Sequence, residues 1–509
     1  LSIRTFTLAD LPRRAADLFG SSVALYTRDA AFTFAEMEAR IAACAAGLEQ
    51  IGVGRGDRVL LHLPNIPEWL IAYYAIARRG AVVVPANILL VADEVQFIAD
   101  NCGAVAIIAT AARIQALQPQ PERRPPLKYI AVGGTASPEA YSFERLLLDS
   151  HPTASFAVDC NEISTICYTS GTTGRQKGAM LTHRAVVLNT AMTANMHLRT
   201  AADVVVTALP CSHVYGNVVM NGAFLCGYAL VLLERFDADL ALEEIERHQA
   251  TLFEGVPTMY YYLLDSASLE KRDLNSLTRA TVGGQTMPIE QMRDVQRRLK
   301  CPLLELWGMT EIAGLGMTHP AHAPERLGSI GVPLPFSECR IDDLGQPGMP
   351  VTAGERGELM FRGPTVMQGY VGSPEATTEA LRPDGWLRTG DVAWRDDDGY
   401  VYVVDRVKEM IITGGYNIYP SEVERVIAGH SAVQMVAVGA TADAVKGELA
   451  HAYVVLRPGA RADKEELMAY CRIHLAAYKV PKAIHFVSDV PKTSTGKIIR
   501  RALSTLIAS

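Results

Sequence analysis

Tyr168-Thr169-Ser170-Gly171-Thr172-Thr173-Gly174-Arg175-Gln176-Lys177-Gly178 directly follows an apolar stretch, Ile163 to Cys167. The stretch reads as a buried strand and the residues after it as a loop. Its three glycines let backbone N–H groups approach a ligand, and four hydroxyl side chains and two cations converge there. That is the chemistry of an anion cradle. It is not a Walker A loop, which places Ser or Thr after its Gly-Lys, whereas Lys177 is followed by Gly178. A plain Ser/Thr/Gly linker has no reason to carry this order of residues straight after a buried strand.

Upstream of the loop the chain alternates helix-like and strand-like segments. Phe34 to Ile51 has amphipathic helical spacing, and Glu68 to Arg78 predicts a second helix. Arg58 to Leu63, Ala81 to Pro85 and Ala104 to Ala109 are short apolar runs that predict strands. This β-α-β-α rhythm predicts a parallel sheet with helices on its faces. Gln118 to Pro126 reads as a surface loop. Gly52 to Gly56 is glycine-rich but precedes a strand, so it is a turn and not a dinucleotide site.

Downstream the rhythm continues to Val282 and changes from about Gly328. Gly357 to Arg362 predicts a strand. Val392 to Trp394 and Tyr400 to Val404 flank Asp396-Asp397-Asp398-Gly399, a hairpin turn. Ser421-Glu422-Val423-Glu424 fits a capping box opening a helix. Strands at Val433 to Val438 and His451 to Leu456 and a helix from Lys464 to Leu475 follow. The predicted fold class is α/β: a large N-terminal domain of parallel and mixed sheets with packed helices plus a β-rich part, then a small α+β C-terminal domain. The expected boundary divides residues 1–405 from 406–509.

Composition narrows the function classes. The chain has 509 residues, 49% of them hydrophobic and 20% charged, enough for a large core. A net charge of −7 without dense Lys/Arg blocks argues against nucleic-acid binding. Nine cysteines without a C-x-x-C pair read as reduced thiols in a cytoplasmic protein. No signal peptide is evident after Leu1, and a few native residues are expected to precede it. Val214 to Leu233 carries no charge, but its glycines and asparagines favour a buried helix followed by a buried strand over a transmembrane segment. His319 and His322 lack a third ligand for zinc.

The loop at Tyr168 to Gly178 resembles the phosphate-handling loop of the adenylate-forming superfamily: acyl-CoA synthetases, firefly luciferase and the adenylation domains of peptide synthetases. Further motifs follow in that family's order, and the resemblance covers nearly the whole chain. It implies that Thr169, Ser170, Gly171, Thr172, Thr173, Gly174 and Lys177 handle the β- and γ-phosphates of ATP. Trp307-Gly308-Met309-Thr310-Glu311 is similar to the family's aromatic-Gly-x-Thr-Glu motif. There Trp307 and Gly308 would lie near adenine, Thr310 would contact phosphate and Glu311 would hold Mg²⁺. Gly283, Gly284 and Gln285 match the loop beside adenine, with Gln285 and Thr286 departing from its usual small residues. Asp391 would grip the ribose hydroxyls, with Arg406 adding a contact.

The same resemblance places His213 beside the acyl group, in a substrate pocket with Tyr215, Asn217, Val219, Gly314 and Leu315. Lys497, in Ser494-Thr495-Gly496-Lys497, matches the catalytic lysine of the first half-reaction. Lys408 matches the hinge about which the mobile C-terminal domain turns. Gly414 and Gly415 match the loop lining the pantetheine tunnel. The implied activity is that of an AMP-forming acyl-CoA synthetase, taking a small-molecule carboxylic acid, ATP and CoA, with Mg²⁺ as cofactor. The closest pattern is that of fatty-acid and 4-coumarate CoA ligases. No cation falls among the pocket positions, so a hydrophobic monocarboxylate, fatty or aromatic, is the expected substrate. Alternative readings are an adenylation enzyme loading a carrier protein, which the absence of a carrier module before Ser509 disfavours, and a luciferase-like oxygenase or an acyl-AMP ligase that does not use CoA. A further alternative is a non-catalytic nucleotide-binding protein.

Overall fold

The computed structural model describes residues 6–117, 126–134, 137, 139–148, 158–169, 176–324, 326–414, 416–443, 445–492 and 498–506. The helix Phe34–Gln50 shows how the local rules operate. Thr33 Oγ1 accepts from Glu36 N at 3.2 Å, and Glu36 accepts from Thr33 N at 2.8 Å, a reciprocal cap. Phe34, Met37, Ile41, Cys44 and Leu48 form its buried stripe.

Two large sheets form the N-terminal body. In the first, the order among the described residues is Tyr141–Ser142, Lys128–Val132, Ala106–Thr110, Arg58–His62, Val82–Pro85, Ile163–Thr169 and Lys177–Thr182. All neighbours are parallel except the last two, which pair antiparallel with Thr169 opposite Lys177. Thr169 and Lys177 are therefore the facing ends of two paired strands. The second sheet has a parallel centre of Leu303–Met309, Arg279–Val282, Leu252–Gly255, Val204–Thr207 and Ala229–Leu232. Its antiparallel neighbour Gly314–Thr318 folds back beside Leu303–Met309. β-Branched and aliphatic residues dominate these central strands because both faces are covered.

The uncharged stretch after His213 becomes the buried helix Val214–Cys226 and the strand Ala229–Leu232. Among the described residues no helix is long and apolar enough to cross a membrane. None of the nine cysteines forms a disulfide.

A four-stranded antiparallel sheet follows: Glu338–Asp342, Gly357–Arg362, Leu387–Arg395 and Val401–Arg406. A short 3-10 turn, Val407–Glu409, leads out of it. The C-terminal sheet contains Ile411–Thr413, Tyr416–Ile418, Val433–Asp443, Gly447–Leu456 and Ala483–Phe486. Helices Pro420–Ala428 and Lys464–His474 cover it around a separate hydrophobic cluster that includes Val423, Ile427, Val438, Leu467 and Cys471.

One local expectation is corrected here. The helix starts at Pro420, with Tyr419 at the N-cap and no side-chain cap. Proline is pre-set for the first helical turn, so Ser421 lies inside the helix. Its N–H donates to Asp405 Oδ2 at 2.7 Å, and Glu424 accepts from Val438 N at 2.8 Å.

Candidate active site

Strand Leu303–Met309 and strand Leu387–Arg395 come from different sheets, yet their motifs meet. Thr389 Oγ1 donates to the Leu359 carbonyl at 2.7 Å and accepts from Asp391 N at 3.1 Å, which shapes the turn that directs Asp391 inward. Asp391 is 3% exposed. Its Oδ2 accepts from Trp307 Nε1 at 2.8 Å, and its Oδ1 lies 2.7 Å from Arg406 Nε. Register across the hairpin sets Asp391 opposite Arg406. Asp391, with Glu409 and Glu311 farther off, holds the Arg406 guanidinium's pKa above its usual value. A carboxylate offers about four lone-pair sites, so two donors leave Asp391 able to accept from a diol.

These residues line a cleft of 690 Å³ between the N-terminal body and the C-terminal sheet. Gly284, Gln285, Trp307, Gly308, Asp391 and Arg406 are among its walls. Gly283 directly follows the adjoining strand Arg279–Val282. From the C-terminal side come Lys492, Ile498 and Arg500. The Arg500 guanidinium donates to Glu424 at 2.8 Å and also pairs with Glu409, so the C-terminal segment is fastened to the turn that contains Lys408. Lys408 itself is exposed. Gly414 sits at an exposed hairpin end away from the cleft, its N–H donating to the Lys446 carbonyl at 2.8 Å. Ser170, Gly171, Thr172, Thr173, Gly174, Gly415 and Lys497 lie outside the described residues.

Beyond Trp307 the chain turns sharply. Ala313 has φ of 60° and Gly314 has φ of 143°. A Cβ on Gly308 would stand 2.1 Å from the Gly314 carbonyl oxygen, and one on Gly314 would stand 2.5 Å from Val218 Cγ2. Only glycine permits this approach of strand, turn and helix. Asn189 clamps the turn: its Nδ2 donates to the Ile312 and Leu315 carbonyls at 2.9 and 2.7 Å, and its Oδ1 accepts from Leu315 N at 3.1 Å. Thr310 is half-buried at the start of this turn. Glu311 is 8% exposed, and its Oε1 accepts from the Tyr370 hydroxyl at 2.7 Å. Lys177 Nζ lies 5.4 Å over the centre of the Tyr370 ring.

Among the predicted pocket residues, Gly314 and Leu315 meet the helix at Val218, next to Asn217. The Asn217 Oδ1 accepts from Tyr73 at 3.1 Å and from Asn221 at 2.8 Å. Val219 is fully buried, its carbonyl accepting from Tyr228. His213 caps the helix, its Nδ1 accepting from Tyr215 N at 3.3 Å. Tyr215 reaches into the core: its hydroxyl lies 3.0 Å from Glu254 Oε2 and 2.6 Å from Thr281 Oγ1. Glu254 in turn pairs with Arg199 at 2.5 Å, both side chains being essentially inaccessible. A buried pair of this kind needs its further hydrogen bonds, which Tyr228 and Thr281 supply.

Tyr370, Asn189 and Glu305 are site residues that motif reading missed. Each stands alone in sequence without a spacing pattern, and folding alone brings it to its partners. Glu305 lines both the cleft and a second cavity of 420 Å³ behind it. No group of three or more His, Cys, Asp or Glu side chains able to hold a metal occurs among the described residues. The buried carboxylate of Glu311, which accepts one hydrogen bond from the described residues, does suit Mg²⁺, which takes one or two carboxylates together with phosphate and water oxygens.

Residues 12–371 match the family described as AMP-binding enzyme, and residues 422–497 match the AMP-binding enzyme C-terminal domain. A long-chain-fatty-acid–CoA ligase of Bacillus subtilis (strain 168) is 34% identical over 533 aligned residues, covering 98% of this chain and 94% of that protein. A feruloyl-CoA synthase of an Amycolatopsis species is 38% identical over 504 residues, covering 98% of each. The crystal structure of the anthranilate CoA ligase AuaEII in complex with anthranoyl-AMP superposes with a TM-score of 0.90 at 25% identity, covering 99% of this chain and 98% of that one. With a matching family domain over most of its length and relatives aligned nearly end to end, the chain belongs to the AMP-binding enzyme family.

Proposed function

We propose that the chain is an ATP-dependent acyl-CoA synthetase. It joins a carboxylic acid to ATP, giving acyl-AMP and pyrophosphate, and passes the acyl group to CoA, giving acyl-CoA and AMP. The observation that carries this reading is the cleft in which Trp307, Asp391 and Arg406 form one wall and Lys492 and Ile498 form another. Adenine lies against Trp307 and the Gly283–Gln285 loop, and Asp391 accepts from the ribose hydroxyls. The triphosphate runs toward Thr169, Lys177 and the loop between them, with Thr310 at its flank. Mg²⁺, when bound through Glu311, offsets phosphate charge.

In the first step a carboxylate oxygen of the acid attacks the α-phosphorus and pyrophosphate leaves. Two anions must approach, and the ammonium of Lys497 lowers that repulsion. In the second step the thiol sulfur attacks the acyl carbonyl and AMP leaves. We assign residues 1–405 to the body and 406–509 to the mobile domain. Turning about Lys408 would exchange the Lys497 segment for Gly414 and Gly415. The flanks of the Lys497 motif face the cleft while Gly414 is exposed elsewhere, which supports the adenylating arrangement.

A hydrophobic monocarboxylate suits the acyl end near His213, Asn217, Gly314 and Leu315. Arg199, a cation of the adjoining core, is already matched by Glu254. An unpaired second carboxylate buried there would cost several kcal/mol. Nine cysteines without a disulfide support a reducing, cytoplasmic setting. The test is pyrophosphate release from a panel of acids with and without CoA, followed by mass detection of the thioester. Adenylation without any CoA thioester would favour carrier loading. Malonate or succinate exceeding every monocarboxylate in kcat/KM would overturn the substrate class.

A further inference from the structure

The segment Met367–Val371 straps two parts of the nucleotide site together. Met180 N donates to the Gly369 carbonyl, Gln368 N to the Met180 carbonyl and Val371 N to the Gly178 carbonyl, each at 2.9 Å. The strap thus pairs with the strand that Lys177 opens, with Tyr370 opposite Ala179. Its other end reaches the acidic turn, where Met367 N donates to the Glu311 carbonyl at 2.8 Å. Thr377 Oγ1 accepts from Tyr370 N at 2.9 Å and fixes the backbone that aims the phenol.

Within this frame the phenol makes two polar contacts with described residues. Its hydroxyl donates to Glu311 Oε1 at 2.7 Å, and Lys177 Nζ lies 5.4 Å over its ring. No hydrogen bond or ion pair from the described residues reaches Glu311 Oε2. Lys177 and Glu311 carry opposite charges and meet the same side chain, and opposite charges attract unless each is held. The phenol holds the cation on its face and one carboxylate oxygen on its hydroxyl. A neutral donor fixes the carboxylate without cancelling its charge.

We propose that Tyr370 is a positioning residue for adenylation, which presents Glu311 Oε2 to the magnesium of MgATP and keeps Lys177 from pairing with Glu311. The inference rests on the nucleotide reading of this site. Tyr370 touches the metal ligand and the phosphate-loop lysine, and no step of the chemistry passes through it.

Two variants of the full chain separate its two contacts. Tyr370→Phe keeps the ring and removes the hydroxyl. Tyr370→Ala removes both. Calorimetric ATP binding is measured in Mg²⁺ and in EDTA, beside the Mg²⁺ dependence of pyrophosphate release and the unfolding temperature. For Tyr370→Phe, half-saturating Mg²⁺ rises about 10-fold, the size expected when the outer partner of a metal ligand is lost. ATP binding in EDTA stays as in wild type. Tyr370→Ala loses ATP affinity in EDTA as well, because Lys177 falls onto Glu311. A Tyr370→Phe magnesium titration that superimposes on wild type overturns the inference. So does a pair of variants that only unfold at lower temperature with magnesium dependence unchanged. A wild-type chain that binds no ATP in either condition removes the nucleotide reading itself, and the inference with it.

Discussion

The indole N–H of Trp307 donates to Asp391 Oδ2 over 2.8 Å, joining two motifs that lie 84 residues apart. Trp307 and Asp391 are thus one unit, with Arg406 closing the other side of the carboxylate.

Trp307→Phe keeps an aromatic face and deletes the donor. A hydrogen bond to a charged group contributes about 1.5–3 kcal/mol, so KM for ATP should rise on the order of 10- to 100-fold, with a smaller change in kcat. Steady-state pyrophosphate release at varied ATP measures this. An unchanged KM would mean that Asp391 is held well enough by Arg406 alone.

Lys497→Ala should remove acyl-adenylate formation and leave thioester formation from supplied acyl-AMP largely intact. Loss of a contact made to the charge of the transition state costs on the order of 3 kcal/mol or more. Pyrophosphate release within a few-fold of wild type would misplace this residue.

Lys408 occupies a 3-10 turn, where Met410 N donates to the Arg406 carbonyl at 3.1 Å. Proline there fixes φ near −65° and removes an N–H. Lys408→Pro should retain much of adenylation and lose thioester formation, because the observed arrangement keeps the Lys497 flanks at the cleft. The half-reactions are assayed separately, as pyrophosphate release and as thioester yield from acyl-AMP. Equal slowing of both with the fold intact would end the domain-alternation account.

Burial pushes the Glu305 carboxyl from its ordinary 4.5 up to about 8, with the Gly328 N–H opposing the rise. Between those values the native chain holds a proton that the unfolded chain releases. Stability contributed by this group is therefore complete below about pH 4.5 and declines as pH rises through about 8, by at most about 1.4 kcal/mol per pH unit. Glu305→Gln cannot ionise and should gain stability relative to wild type as pH rises across that window. Unfolding temperatures of both proteins over the range reveal it. A difference that stays constant with pH would show that Glu305 is ionised in the fold.

Local chemistry made much of this protein legible from its sequence. The helix at Phe34 follows from the Thr33–Glu36 cap and a 3.6-residue apolar stripe, and the hairpin at Asp396–Gly399 follows from its turn residues. Trp307, Asp391 and Arg406 were nameable because their motifs are contiguous in sequence. The limits are equally specific. Ser421 to Glu424 satisfies a local capping rule, but Ser421 and Glu424 are committed to Asp405, Val438 and Arg500. Tyr215 reads as a pocket aromatic, but its hydroxyl belongs to a buried ionic network. Tyr370 carries no spacing signal, since its partner Glu311 lies 59 residues away. Sequence by itself determined which segments are helix, strand and turn, because periodicity, caps and turn residues act over a few neighbours. Only the tertiary structure decided which oxygen of Glu311 is occupied, what holds Asp391 and where the C-terminal segment sits, because those hydrogen bonds and ion pairs depend on which sheets pack together.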